Sequence, residues 1–281
     1  MSRVAATRTV GRRAPSTALL VLSGTVLALV VLAALVPGLL APQDPIQTDV
    51  RAALQSPGAA HWFGTDQSGR DVYARVVHGA GRSLGIGVLA TALALVLGLL
   101  IGSAAGSAPR WLDATLMRIN DVLMAFPEFL LALVVVAILG PGTVNVAIAV
   151  TAAAIPVYVR LARTQTLVLR RAEHVEAARI LGVPPGRAFL RHVAPGVLGS
   201  LSVLATIGLG SSILAAAGLS FLGLGPSEPD PEWGLMLAGG RNVLGQAWWI
   251  SVFPGLAITA TVLAATYVGR TLRARAEGRR A

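Results

Sequence analysis

The 281-residue sequence contains no cysteine and no lysine, and only 13% of its residues are charged. The absence of cysteine excludes disulfides, thiolate metal sites and thiol nucleophiles. The absence of lysine excludes a Walker-type phosphate loop, whose motif requires that residue, and it also excludes Schiff-base chemistry on lysine. Because soluble domains carry roughly 25% charged residues, this chain has too few charges to cover a surface that faces water.

Hydrophobic residues make up 54% of the chain and stand in long blocks. Each block can cross the ~30 Å hydrocarbon core as a helix, which satisfies its own backbone polar groups. The first block is longer than the 7–15 apolar residues typical of a secretory signal, so we expect an uncleaved span. These features predict an all-α, polytopic membrane protein with about six transmembrane helices. The predicted spans cover about residues 17–40, 83–107, 122–139, 144–161, 197–222 and 247–268, with tails at 1–16 and 269–281.

All 23 basic residues are arginine, and their distribution predicts an orientation. If the N-terminus is cytosolic, 18 of the 23 arginines lie on the cytosolic side, as the positive-inside rule requires. We therefore expect a multi-pass protein of the plasma or inner membrane with both termini in the cytosol. The arginines separate apolar blocks, which favours contact with anionic membrane lipid over a role in nucleic-acid binding.

The cytosolic loop of about residues 162–195 is too long for a simple turn between two spans. It has no glycine or proline between Arg163 and Leu181, and Gly182 suits the left-handed position that ends a helix. Pro184, Pro185 and Gly186 then force a turn. Two short helices that meet at an exposed corner form a shape suited to docking in a groove of a partner.

Four motifs carry a resemblance to a known family. Glu176-Ala177-Ala178, followed by Gly182 and Pro195, resembles the EAA loop of ABC importer permeases. Three further motifs resemble the C-type transmembrane subunit of the dipeptide/oligopeptide/nickel branch: Gly64-Thr65-Asp66-Gln67-Ser68-Gly69-Arg70-Asp71 with Arg82-Ser83-Leu84, Asp121 to Pro127, and Leu219 to Gly225 with Pro231-Glu232-Trp233-Gly234. The chain departs from the family pattern at Val193-Ala194-Pro195, at Pro184-Pro185 and in the tail from Gly269 to Arg273.

The resemblance implies a type I ABC importer permease that forms a pathway for dipeptides or oligopeptides with a second, B-type permease subunit. Its other expected partners are two ATPase subunits or a fused pair, which hold ATP and Mg²⁺, and an extracytoplasmic substrate-binding protein. The chain itself is expected to be non-catalytic, with no cofactor and no metal. The candidate residues are Glu176, Ala177, Ala178, Arg179, Gly182, Arg187 and Pro195 for ATPase coupling; Gly64, Thr65, Asp66, Gly69, Arg70 and Asp71 as the signature of the outside loop; Glu228, Asp230, Glu232 and Trp233 for receptor docking; and Glu128, Ser211 and Ser212 for the pathway.

Several alternatives stay open at this point. Asp66, Arg70 and Asp71 are expected to pair with one another and to hold the outside loop against the second span, although an ordinary solvated loop is the alternative. Glu176 could serve only as an acid that favours its helix dipole, and Ser211 and Ser212 could serve only close helix packing. His174 and His192 lack a third ligand and are expected to be surface residues. Nickel or another small solute is an alternative cargo. A secondary transporter or channel is less favoured, because it would need mid-membrane charges that the spans almost lack.

Overall fold

The computed structural model describes residues 17–276, and within that range every regular element is helical. The α-helices are α1 (Thr17–Leu35), α2 (Pro37–Leu40), α3 (Val72–Ser107), α4 (Arg110–Met124), α5 (Glu128–Leu139), α6 (Thr143–Leu169), α7 (Glu173–Ile180), α8 (Pro185–Ala188), α9 (Ala194–Phe221), α10 (Trp233–Gly240) and α11 (Trp249–Ala276). A π-helical turn (Phe189–Val193) precedes α9, and two short 3₁₀ helices cover Val50–Ala52 and Arg241–Val243. Within residues 17–276, five helices are long and apolar enough to cross a membrane, and there are six candidate spans if α4 and α5 count as one. The prediction of an all-α chain with about six spans is confirmed.

The third predicted span is not one continuous helix. The sequence predicted a helix over 122–139, whereas α4 ends at Met124 and α5 begins at Glu128, and the two axes differ by 93°. Proline at 127 removes a backbone donor at the break, which explains why the helix stops there. The 12 residues of α5 cover about 18 Å, which is less than the ~30 Å hydrocarbon core, so α5 alone is too short to cross it.

The other helices differ from the predicted spans mainly at their ends. Helix α3 begins at Val72, eleven residues before the predicted start, because the carboxylate of Asp71 accepts from the backbone N–H of Ala74 at 2.8 Å and caps the helix. Helix α11 continues to Ala276, through part of the stretch predicted as a tail. The predicted tail of residues 1–16 and the last five residues, 277–281, lie outside the described residues.

A stripe of small residues brings α3 and α6 together. Gly98, Gly102 and Gly106 recur every fourth residue of α3 and so share one face of the helix. A Cβ at Gly102 would lie 2.6 Å from the Cβ of Ala162, so only glycine allows this approach. Such small-residue spacing is the usual device for close packing of helices in membranes. This stripe was not among the predicted features, although its four-residue spacing is visible in the sequence.

The loops gather at the two ends of the helices. Residues 41–71 and 222–248 pack together at one end, which we call the cap. The indole Nε1 of Trp249 donates to the carbonyl of Thr65 at 3.0 Å, and the rings of Phe63 and Phe253 stack at 3.9 Å. The C-terminal end of α6, the helices α7 and α8 and the start of α9 lie at the opposite end. We call residues 173–193 the corner.

Candidate functional site

The corner turns at Gly182, as the sequence predicted. This residue has φ +81°, and its N–H donates to the carbonyl of Arg179 at 3.0 Å. The N–H of Val183 donates to the carbonyl of Ala178, also at 3.0 Å. These two bonds form a Schellman motif, which satisfies the last carbonyls of α7 and requires the left-handed conformation that glycine adopts easily. The prediction of a C-cap glycine at this position is confirmed.

The tip of the corner exposes large apolar side chains. Ile180 is 81% exposed and Leu181 is 83% exposed, and Leu190 is also exposed on the π-helical turn. Beneath them Val175 and Val193 are fully buried against α6 and α9. The corner is therefore fixed to the helices on its inner side and presents apolar surface on its outer side. Exposed apolar surface of this kind is typical of a contact with another protein.

The predicted coupling residues lie together on the corner or at its edge. Glu176 is exposed in the first turn of α7, Arg179 is exposed in the last turn, and Ala178 is buried between them. The other members are Ala177 and Arg187, which are exposed, and Pro195 in the first turn of α9. One contact that the sequence did not indicate joins the C-terminal end of α6, just before the corner, to α3: Nη1 of Arg170 donates to the carbonyl of Gly106 at 2.7 Å.

The two histidines of the corner face each other. The rings of His174 and His192 have centroids 6.1 Å apart and are inclined by 67°. Within residues 17–276 no group of three or more His, Cys, Asp or Glu side chains has an arrangement that could hold a metal ion.

The signature loop of the cap is folded by its own side chains. The carboxylate of Asp66 accepts from the N–H of Ser68 at 2.8 Å and from Nε of Arg70 at 2.6 Å. Gly64 and Gly69 have φ +72° and +73°, and a Cβ at Gly69 would collide with backbone atoms of Asp49. The prediction that Asp66 pairs with Arg70 is confirmed.

Asp71 does not join the pair of Asp66 and Arg70. Its carboxylate caps α3 and also lies 2.8 Å from Nδ1 of His61. Pairing of Asp71 with Arg70 was part of the predicted arrangement, and this part is wrong. The reason is local, because Asp71 immediately precedes α3 and its carboxylate is within reach of the free N–H groups of the first turn.

An ion-pair network joins the two loops of the cap. Nη1 of Arg70 lies 2.5 Å from Glu228, and Nη2 of Arg75 lies 3.5 Å from the same carboxylate. Arg75 is 2% exposed, and it also donates to the carbonyls of Pro45 and Pro229 at 3.2 and 3.1 Å. Burial lowers the pKa of Arg70, but the Asp66 and Glu228 carboxylates more than offset this, so the pKa is raised above its ordinary value.

Two of the four residues predicted to receive a receptor are internal. Glu232 and Trp233 are each 1% exposed, so neither offers a surface to another protein here, and the docking prediction for them does not fit the structure. The carboxylate of Glu232 accepts from the N–H groups of Gly234 and Leu235 at 2.9 and 2.8 Å and caps α10. Trp233 donates from its indole to the carbonyl of Val76 at 2.8 Å. Both residues therefore fix α10 against α3.

The other two, Glu228 and Asp230, are partly exposed, although both are engaged in ion pairs. Asp230 lies 2.5 Å from Nη1 of Arg82, and about 40% of each side chain is exposed. Glu228 is 48% exposed at its side chain while it holds Arg70. These two carboxylates are the part of the predicted docking set that remains on the surface.

The three predicted pathway residues line one cleft. Glu128, Ser211 and Ser212 border a cavity of about 110 Å³ together with Tyr158 and Gly208, and we call these five residues the cleft. Glu128 is the first residue of α5, immediately after the 93° bend, and its side chain is exposed. Tyr158 is 3% exposed, and its hydroxyl has no hydrogen-bond partner among the described residues.

Comparison with known proteins decides the family. A family model described as the binding-protein-dependent transport system inner membrane component matches residues 95–280, which is more than half of the chain. The chain belongs to this family. The range of the chain that the family model matches includes the corner, the cleft and the second loop of the cap. The signature loop around Asp66 precedes this range.

Curated relatives extend the similarity to most of the chain. The chain is 42% identical over 243 residues to the dipeptide transport system permease protein DppC of Alkalihalophilus pseudofirmus, covering 86% of this chain and 80% of the relative. It is 39% identical over 255 residues to a probable D,D-dipeptide transport system permease protein of Escherichia coli, covering 91% and 86%. It is 43% identical over 219 residues to a glutathione transport system permease protein of Pectobacterium atrosepticum, covering 78% and 73%.

Two residues that organise the cap and the cleft were not predicted from the sequence. Arg75 was not singled out, although an arginine in the first turns of an apolar helix demands a partner. Tyr158 was not singled out either, because a single tyrosine in an apolar block is usually core. Only the fold brings it to the same cleft as Glu128 and Gly208.

Proposed function

We propose that this chain is the C-type permease subunit of an ATP-driven importer of peptides. The observation that carries the proposal is the similarity over most of the chain to proteins named as dipeptide, D,D-dipeptide and glutathione permeases. All three named cargoes are short peptides. The membrane-spanning helices and the exposed corner fit the role of a transport subunit that meets another chain.

The corner is proposed to face the cytosol and to seat in a partner ATPase. Eighteen of the 23 arginines lie on the corner's side of the membrane if the termini are cytosolic, which is the orientation that positive charge favours. The exposed Ile180 and Leu181 supply apolar contact area, and the exposed Glu176 and Arg179 beside them supply charge. ATP and Mg²⁺ would bind in the partner subunits, since this chain lacks the lysine of a phosphate loop.

Packing offers a route from the corner to the cleft. Val175 and Val193 of the corner belong to the same buried cluster as Tyr158 of α6 and Leu201 of α9. Well-packed interiors transmit displacement because they contain few voids. A movement of the corner, produced by nucleotide binding in the ATPase, would therefore displace α6 and α9 and change access to the cleft. This is a two-state mechanism in which the partner's nucleotide biases the equilibrium.

At the opposite end, the cap is proposed to receive the extracytoplasmic substrate-binding protein. Glu228 and Asp230 are the partly exposed acids of the cap, and they lie beside the buried arginines that hold its two loops together. A second permease subunit would complete the pathway on the face that carries the cleft.

The proposal is tested by reconstituting the full complex in liposomes and measuring peptide uptake and receptor-stimulated ATP hydrolysis. Leu181→Ser removes apolar contact area from the tip of the corner, and we expect both activities to fall at least about tenfold, the loss expected when one well-packed interface side chain is removed. Leu181→Met is the matched control, because it keeps an apolar side chain of similar volume at the same exposed position, and this variant should stay within about twofold of the wild type. Equal effects of the two changes would refute the coupling role of the corner, and no peptide uptake by the wild type would refute the cargo.

A further inference from the structure

Glu128 places an exposed carboxylate in the membrane region, at the edge of the cleft. The exposed Val157, which borders the same cavity, is apolar. A carboxylate that faces lipid is strongly disfavoured, and ionisable groups within membrane spans almost always face a water-filled cavity or another protein chain. The face that carries Glu128 is therefore turned away from lipid.

The cleft is separated from the cap by about half the thickness of the hydrocarbon core. From Glu128 to the end of α5 at Leu139 the helix rises about 16 Å, and from Ser211 to the end of α9 at Phe221 it rises about 15 Å. Both helices end at the cap. These distances are about half of the ~30 Å hydrocarbon core, so a solute that crosses along this face passes the cleft at about that depth from the cap.

Some polar groups of the cleft make hydrogen bonds within the chain, and others have no partner. The hydroxyl of Ser211 donates to the carbonyl of Gly208 at 2.9 Å, and the hydroxyl of Ser212 accepts from that of Thr91 at 3.1 Å. The carboxylate of Glu128 has no ion pair with any cation among residues 17–276. The Tyr158 hydroxyl, likewise, is buried without a partner.

The Glu128 carboxylate and the Tyr158 hydroxyl, which have no partner, indicate which kind of ligand fits the cleft. A buried hydroxyl without a partner is costly, and a cavity that it borders beside a free carboxylate is suited to a small cation that donates hydrogen bonds. Gly208 makes room for the Tyr158 hydroxyl, because a Cβ there would collide with the hydroxyl oxygen. A volume of about 110 Å³ accommodates an ammonium group and the first atoms of its chain, but not a whole peptide.

We propose that the cleft binds the terminal α-ammonium group of a peptide in transit, with Glu128 as the ion-pair partner and the Tyr158 hydroxyl as a second acceptor. The inference rests on the proposed function as a peptide permease. The α-ammonium is the cationic group that peptides share regardless of their side chains, so a site that binds it recognises the class of cargo without selecting its sequence. An ammonium has three donors, which the carboxylate and the hydroxyl can accept together.

The test measures peptide binding to the purified complex of both permeases and both ATPases in lipid nanodiscs, without receptor or nucleotide. Binding is detected by saturation-transfer NMR. The probes are tetra-alanine and N-acetyl-tetra-alanine, which differ only in the terminal charge. We expect the wild type to bind the free peptide about tenfold more tightly, a ratio that corresponds to about 1.4 kcal/mol. Glu128→Gln should abolish this preference. Tyr158→Phe keeps the buried ring and should reduce the preference about threefold, while Asp44→Asn, which removes an exposed carboxylate at the cap, should leave it unchanged.

Three results would overturn the site: no binding of either probe to the wild type, equal binding of the two, or a preference that survives Glu128→Gln. In the third case, reduced recovery of the second permease with Glu128→Gln would mean that Glu128 pairs with a cation of the partner permease. If Glu128→Gln prevents assembly of the complex, the binding preference is measured with Tyr158→Phe and Glu128→Asp, and these two variants decide whether the cleft binds the ammonium group. Peptide uptake by the wild-type liposomes separates the two proposals, because uptake without a binding preference refutes the site alone.

Discussion

The guanidinium of Arg70 reaches Glu228, 158 positions further along the chain, at 2.5 Å, and it holds Asp66 at 2.6 Å on its other side. Arg70 and Asp66 are both buried, so their charges depend on each other. Removal of one partner of a buried pair usually costs 3–5 kcal/mol, because the other charge stays desolvated. The loops of the cap thus depend on Arg70 for their joint position.

We predict that Arg70→Ala destabilises the protein by about 3 kcal/mol, the lower end of that range, because Arg75 remains 3.7 Å from Asp66. The measurement is the free energy of unfolding in detergent. Arg82→Ala is the control. Its pair with Asp230 is more than 40% exposed on both sides, so the expected loss is about 0–1 kcal/mol. Similar losses in the two variants would show that the network does not stabilise the cap.

The sequence indicated those features that depend on local rules. Gly182 could be placed at a helix end because a Schellman motif involves only neighbouring residues, and the spans could be placed because lipid imposes long apolar runs. The direction of the bend between α4 and α5 could not be predicted from the sequence. The apolar pattern continues through Phe126, and it would be the same for a straight helix and for a bent one. Proline at 127 is a local signal for a break, but the predicted span over 122–139 ran through it, and the angle of 93° has no such local signal.

The residues that sequence reasoning misplaced depend on distant partners. Glu232 and Trp233 stand in a polar loop and were therefore predicted to be exposed. They are buried because Ser83 lies against them, 149 and 150 positions earlier in the chain. The cleft has the same origin, since Glu128, Tyr158 and Gly208 come from three helices. Their polarity and size were visible in the sequence, but their proximity was not.

Gly182→Ala should weaken coupling without creating a clash. The residue has φ +81°, where a Cβ costs about 1–2 kcal/mol, and a Cβ built there meets no atom within 4 Å. The change therefore disfavours the turned conformation of the corner, and we expect receptor-stimulated ATP hydrolysis and uptake to fall about five- to tenfold. Gly186→Ala is the matched control, because a Cβ built at Gly186 also has no atom within 4 Å and the φ of this residue is not positive. Normal coupling in Gly182→Ala would contradict the prediction.

Helix packing between α3 and α6 is tested by two glycines of one helix. Gly102→Ala places a methyl group against Ala162 and the backbone of α6, and such overpacking usually costs about 1–3 kcal/mol. Gly85→Ala adds the same methyl group to α3 where nothing lies within 4 Å. We expect Gly102→Ala to lower the melting temperature of the detergent-solubilised protein and Gly85→Ala to leave it unchanged or raise it, since alanine favours helix. A lower melting temperature in both variants would indicate that α3 tolerates no added volume anywhere.

The buried carboxyl of Glu232 should make stability depend on pH. Burial raises its pKa above the ordinary value of 4.5, against the opposing hydrogen bonds from Gly234 and Leu235. A carboxyl with a raised pKa binds its proton more tightly in the folded than in the unfolded chain, so it contributes stability at low pH that is lost as the pH rises from about 4.5 through the raised value. Glu232→Gln stays neutral and keeps one carbonyl acceptor for the cap of α10. We therefore expect the melting temperature of the wild type, relative to this variant, to decline with rising pH over that window. Parallel curves for the two proteins would show that ionisation of Glu232 is not linked to folding.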